Sequence, residues 1–291
     1  MPLYRYAEVL KINLAPQAAR LITFCVLCVS IILLLTVTAG SLDTLKSLSL
    51  LRLISDPRWD PAASGGGLYN IPVLLAGTIS VALLALFFAV PLGCGSAVAI
   101  EFYLSGFIRS LVYTVVTLLS GIPSVVLGLW GLETIVPMIA KMHTPGSGLL
   151  AASCVLSIMI FPVIAFSAVT ALKEARKRYA PGGLALGLGK SSLILAVLLP
   201  AARASILSGI MLALMRALGE TMIILMLAGN VAVFPDSVFS PVRTLTSTIA
   251  LEMGYAYGTH QNALYLLGLI LITGVVIISL LTRLLAKGDN Q

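Results

Sequence analysis

Charge is what this sequence has least of. Of its 291 residues, 10% are Asp, Glu, Lys or Arg, against 59% that are hydrophobic. A soluble domain carries about 25% charged residues, so this chain cannot cover a water-facing surface. Histidine is nearly absent too: His143 and His260 are the two present, neither with ligand partners at metal spacing. Four cysteines, Cys25, Cys28, Cys94 and Cys154, all fall inside apolar blocks. Cys25 and Cys28 have C-x-x-C spacing without a second pair nearby, so they read as small packing residues. There is no Walker A string and no enzyme constellation, so nucleotide hydrolysis is not expected of this chain, and no metal or cofactor is implied.

What is abundant is long apolar sequence. Blocks occupy roughly 21–39, 71–100, 111–139, 148–169, 200–228 and 263–285. A helix needs about 20 apolar residues to cross a hydrocarbon core. The expectation is an all-α polytopic membrane protein of about six transmembrane helices, one domain over 1–291 with no soluble-type linker. The first block follows Arg5, Lys11 and Arg20 and ends in Val37-Thr38-Ala39, as a signal peptide does. Its apolar stretch exceeds the 7–15 residues of a signal core, which favours a retained helix. The second and third blocks are long enough to tilt, project or kink. Pro91 and Pro123 are the expected kink points, since proline removes a helical hydrogen bond.

The net charge of +7 does not indicate nucleic acid, because the basic residues flank apolar blocks. With the N-terminus inside, eleven fall on cytoplasmic segments: Arg5, Lys11, Arg20, Arg109, Lys173, Arg176, Lys177, Arg178, Lys190, Arg283 and Lys287. Five fall outside: Lys46, Arg52, Arg58, Lys141 and Arg243. That bias predicts both termini in the cytoplasm. The external segments, about 40–70 and 229–262, hold Trp59, Tyr69, Phe234, Phe239, Tyr255 and Tyr257. They read either as interfacial anchors or as a docking surface.

Two polar stretches stand out. From about 171 to 199 a basic loop leads into a Gly/Ala-rich segment and an apolar run closed by Leu199-Pro200. In the fifth block, Arg216-Ala217-Leu218-Gly219-Glu220-Thr221 places Arg216 and Glu220 four apart, on one face of a continuous helix. Each costs roughly 2.5–3.5 kcal/mol at the bilayer centre, so neither can face lipid. They read as a structural pair or as a pathway cation tuned by an acid.

The string GIMLALMRALGETMIILMLAGN, from Gly209 to Asn230, closely resembles the PstC-type permease of the bacterial phosphate-specific ABC importer. Ile122-Pro123-Ser124 running to Trp130-Gly131, Gly77-Thr78, Ala89-Val90-Pro91 and Thr244 to Glu252 are similar to that family as well. The likeness spans about 70–285. It implies a type I ABC importer permease in the bacterial cytoplasmic membrane, moving inorganic phosphate. The partners implied are a homologous second permease, two copies of a cytoplasmic ATPase and an external phosphate-binding protein. On the same ground Arg216, Glu220 and Thr221 become pathway candidates, with Pro91, Pro123 and Ser124 shaping the pathway helices. Leu184, Ala185 and Gly187, with Leu199 and Pro200, resemble the family's coupling segment, E-A-A, three residues, G, then an apolar run to L-P. Pro181-Gly182-Gly183 stands where E-A-A belongs, so a shorter coupling helix is expected, with Pro181 able to begin it. Another oxyanion or polar solute as substrate, or a permease-derived sensor or scaffold, are the alternatives.

Overall fold

A computed structural model describes residues 2–63 and 66–288, and side chains at 17–63 and 66–284. Arg5, Lys11 and Lys287 of the charge count lie outside the described side chains. The chain is helical nearly throughout. In order come α1 (Pro2–Ser47), α2 (Leu50–Ser55), a small hairpin of β1 (Trp59–Asp60) and β2 (Leu68–Tyr69), and α3 (Ile71–Val98). Then follow α4 (Gly106–Gly121), α5 (Ser124–Ala140), α6 (Leu149–Ala185), α7 (Lys190–Ser192) and α8 (Leu199–Leu218). The last are α9 (Met222–Leu227), α10 (Leu245–Glu252) and α11 (Thr259–Gly288).

Among the described residues, five helical segments are long and apolar enough to cross a membrane: 17–47, 71–103, 149–185, 190–218 and 259–284. The sixth expected span is a bent pair, α4 and α5, meeting at 98°. The elbow is where proline chemistry puts it. Pro123 has extended backbone, φ −60° and ψ 139°, immediately before the first residue of α5. Pro91 behaves differently, and α3 passes through it unbroken. One missing hydrogen bond does not break a helix whose neighbouring turns, at Ala89 and Gly93, are held in the core.

The bundle is built on α3 against α6, with α8 packed on both, and α1 attached through α11. Its middle core joins Val81, Ala85, Leu156, Ile160, Ala213 and Ile223. One end has its own core of Trp59, Tyr69, Leu74, Leu245, Leu264 and Leu267. The other is closed by Ile100, Ala168, Leu172, Leu193, Leu198 and Ala202. The apolar span of α1 is open to its surroundings along its length, as a lipid-facing helix is. Among the anchoring aromatics expected from the sequence, Trp59 and Tyr69 instead turn inward and pack edge to face at 5.5 Å.

Candidate functional site

The expectation that Arg216 and Glu220 share a helix face is not met. α8 ends at Leu218, with Gly219 as its cap, and a new helix starts at Met222. Glu220 stands in the break. Its Oε1 accepts backbone N–H groups from Met222 at 3.0 Å and Ile223 at 3.2 Å. A carboxylate over a helix start satisfies orphan donors and complements the dipole, which ties the side chain to α9 rather than to α8. The break is braced from outside the fifth block: Thr246 Oγ1 donates to the Glu220 carbonyl at 2.8 Å. Thr221, half-buried, precedes α9 without a side-chain capping bond.

Arg216 is therefore left on its own. It is exposed, and among the described residues no carboxylate lies within ion-pair distance of it. Its depth follows from packing. A methyl group on Gly209 would collide with Ser167 of α6, so these two residues are level. Arg216 lies seven residues further, ~10 Å along α8, which places it level with roughly Ile160, midway along the apolar stretch of α6. The face of α8 that carries it is open and short-chained: Ala201, Ser205 and Leu212 are exposed with it, Ser208 half-buried. The packed stripe, Ala202, Gly209, Ala213 and Ala217, adjoins Arg216 on its other side.

Beyond the elbow, α5 packs on the helix that follows the same break. Gly128 of α5 packs against α9 at the Met226 sulfur, 2.8 Å from where a Cβ would stand, and near the Met222 carbonyl. Ser124 is one turn below Gly128, at the foot of α5, and Pro123 turns the chain there. Pro91 lies on an exposed face of α3 beside exposed Leu92.

The stretch 171–199 is not a loop. α6 continues to Ala185, with Pro181 inside it rather than at a helix start. A tight turn, Leu186 to Gly189, then leads into α7 and a π-helical stretch, Leu193–Leu198, that runs straight into α8. Gly183 is packed against Leu193, which folds the two arms together. Gly187 has φ +73°, a left-handed conformation that only glycine adopts cheaply. The turn pushes Leu184 and Leu186 outward at 63% and 82% exposure, with Ala185 between them, and Pro200 opens α8. Two bare leucines thus mark the helical tip, and among the described residues nothing covers them.

Two charged clusters escaped sequence reasoning. At the tip of α3, a π-helical turn (Ala99–Tyr103) carries Glu101, almost fully buried. Its Oε2 meets Arg109 at 2.9 Å and its Oε1 meets Arg176 at 3.0 Å. Arg176 also donates to the Glu101 backbone carbonyl at 3.0 Å. At the other end Glu252, 3% exposed, takes Arg243 Nη1 at 2.8 Å on Oε1. Its Oε2 accepts Trp59 Nε1 at 3.0 Å and lies 2.9 Å from His260 Nε2. Burial pushes the nearby Tyr69 phenol up, with Arg52 opposing and Glu252 adding to the rise. Each cluster joins residues from distant segments, and only Glu101 had a sequence signal, as a lone acid at the margin of an apolar block. His143 stacks on Phe239 at 5.0 Å.

Comparison with known proteins places these features in a common framework. Residues 89–288 match the family model of the binding-protein-dependent transport system inner membrane component. The probable ABC transporter permease protein YqgH of Bacillus subtilis is 34% identical over 246 residues, covering 83% of this chain and 79% of that protein. The phosphate transport system permease protein PstC of Haemophilus influenzae is 30% identical over 300 residues, covering 96% and 94%. Its namesake in Pasteurella multocida is 34% identical over 257 residues, covering 78% and 77%. Among solved structures, the inward-facing MetNI methionine ABC transporter aligns with a TM-score of 0.58 at 20% identity, covering 74% of this chain and 94% of that one. At that identity the likeness concerns the fold, which is that of an ABC importer permease.

Proposed function

The chain belongs to the family of binding-protein-dependent transport system inner membrane components, and from that premise we propose that it forms one half of the pathway of an ATP-driven importer for inorganic phosphate. The name borne by the Haemophilus and Pasteurella relatives supports the substrate. The observation that carries the mechanism is Arg216, a guanidinium at mid-depth with no acid beside it. Lipid is not its environment, because the cost of a bare cation there is too high. The open face of α8 therefore meets an aqueous passage shared with a second permease of the same fold. A guanidinium offers two parallel N–H donors to two oxygens of a tetrahedral oxyanion, and the cation offsets the anion's loss of water.

Both termini face the cytoplasm in this reading, so α10 and the hairpin face outward toward a phosphate-binding protein. The Leu184–Gly187 tip faces inward, where two ATPase copies dock and hydrolyse ATP. This chain performs no hydrolysis; movement of the tip reaches α8 through Leu193–Leu198 and Leu199-Pro200. Gly187→Val keeps the tip apolar but strains its left-handed turn by roughly 1–2 kcal/mol. The expected result in reconstituted vesicles is ATP hydrolysis without phosphate uptake; normal coupling removes the tip from the mechanism.

The deciding experiment on the substrate site is uptake per assembled complex. Arg216→Gln removes both charge and fork and is expected to lower uptake by about 10- to 100-fold, the worth of one charged hydrogen-bonded pair. Arg216→Lys keeps the charge without the planar fork and restores part of it. Normal per-complex uptake in Arg216→Gln refutes the pathway role. Competition by sulfate, arsenate or molybdate ranks the oxyanions.

A further inference from the structure

An unbroken helix running from α8 into α9 would carry the N–H groups of Met222, Ile223 and Ile224 to the carbonyls of Leu218, Gly219 and Glu220. At the break each of these bonds has a substitute. The Glu220 carboxylate takes the first two N–H groups, Met222 at 3.0 Å and Ile223 at 3.2 Å. The Glu220 carbonyl, which Ile224 would fill, takes the Thr246 hydroxyl at 2.8 Å. The backbone between the helices stays close to helical: Gly219 has φ −86° and ψ −3°, Thr221 φ −116° and ψ −51°. Two forms of this segment therefore compete, and side chains decide between them.

Thr246 approaches the break from a fixed frame. It is 6% exposed, in the first turn of α10. Thr244 closes a capping box with Ser247 there. The Leu245 N–H donates to Thr78 Oγ1 of α3 at 3.0 Å. Gly77 of α3 lies so close that a Cβ on it would collide with the Arg243 carbonyl. At the far end of α10, Glu252 is held by Arg243, Trp59 and His260. A hydroxyl carried by a helix tied at both ends holds the Glu220 carbonyl in one place.

The two forms differ in what becomes of Arg216. In the broken form the Glu220 carboxylate is engaged by α9. In the unbroken form Leu218 and Gly219 reclaim those N–H groups, and the Glu220 side chain returns to the face of Arg216, four residues earlier. There it binds the guanidinium and competes with any anion for the same donors. We propose that Thr246 is a positioning residue for the oxyanion site: by holding the Glu220 carbonyl it keeps the helix broken and Arg216 free. The proposal rests on the importer reading above and deepens it, giving α10 control over the pathway cation.

The test is uptake of inorganic phosphate per assembled complex, in vesicles that hold the complete importer with ATP and loaded phosphate-binding protein. Thr246→Val keeps the shape of the side chain and removes the hydroxyl. Uptake is expected to fall about fivefold, the worth of one hydrogen bond in an equilibrium. Thr246→Ser returns the hydroxyl and is expected to restore uptake. Adding Glu220→Gln to Thr246→Val is expected to raise uptake to the level of Glu220→Gln alone, because a neutral amide does not hold a guanidinium as a carboxylate does. A loss that came from packing alone would not be repaired by changing the acid.

Gly219→Ala biases the same balance without touching α10. A Cβ on Gly219 would meet nothing nearer than the Met215 carbonyl at 3.6 Å, so alanine fits, and it favours the unbroken helix. The expected result is a similar fall in uptake with assembly undiminished, again repaired by adding Glu220→Gln. This variant decides the question if Thr246→Val does not assemble. Normal uptake per complex in Thr246→Val or Gly219→Ala, or a loss that Glu220→Gln leaves unrepaired, overturns the proposal. Loss of uptake in Arg216→Gln with normal uptake in these two variants defeats this inference alone. Normal uptake in Arg216→Gln defeats the reading beneath it.

Discussion

Arg243 and Glu252 are nine residues apart and form an ion pair at 2.8 Å. Arg216 and Glu220 are four apart, at ideal helical spacing, and form none. The difference lies in the backbone between them. Around α10 the chain folds so that a loop, a hairpin and a helix start converge on one carboxylate, giving Glu252 a partner on each oxygen. At α8 the helix ends at Leu218, two residues before Glu220, whose carboxylate turns to the N–H groups of α9. One arginine is spent on holding the structure together, while the other is kept available. Spacing proposes a pair; whether it forms depends on what else the acid can bind.

That contrast can be broken by substitution. Arg243→Gln has the larger expected effect on stability, because it leaves buried Glu252 without the guanidinium on its Oε1; about 3 kcal/mol is expected. The measure is the amount of assembled complex and its thermal midpoint, with little change in uptake per complex that survives. A normal midpoint removes Arg243 from any holding role. Glu220→Gln is expected to be mild, since an amide oxygen still accepts from Met222 and Ile223. The cost is about 1 kcal/mol, the difference between a charged and a neutral acceptor. Arg216 gains no stability and loses none in this variant. A fall in assembly as large as that of Arg243→Gln, recovered by adding Arg216→Gln, would mean that the two residues are paired after all.

The apolar blocks and the elbow at Pro123 were legible because each is a local property of the chain. Hydropathy reports span length, and a proline or glycine acts within a turn of itself. The helix break after Leu218 was not legible. Nothing from Leu212 to Leu225 lacks helix propensity except Gly219, and one glycine costs only ~1 kcal/mol in a helix. What tips the balance is tertiary: Thr246, from another helix, takes up the Glu220 carbonyl. Pro181 went the other way, carried inside α6 because Gly183 packs against Leu193 on the returning arm. Trp59 and Glu252 are 193 residues apart, and no periodicity connects the members of their cluster. The substrate candidates were thus found by composition and resemblance, whereas the reason Arg216 is free belongs to the fold.

Glu101 answers to two arginines at once, Arg109 on one oxygen and Arg176 on the other. Its tolerance to change is therefore lopsided. Deleting either arginine leaves a neutral couple, and the helix that lost its tie is still held by packing. Deleting the glutamate leaves two cations confronting each other across the joint of α3, α4 and α6, with nothing to hold them there. In a drifting population of sequences the two arginines can be replaced one at a time, each covering for the other. The acid has no such understudy, so the joint's evolutionary fragility is concentrated in one residue.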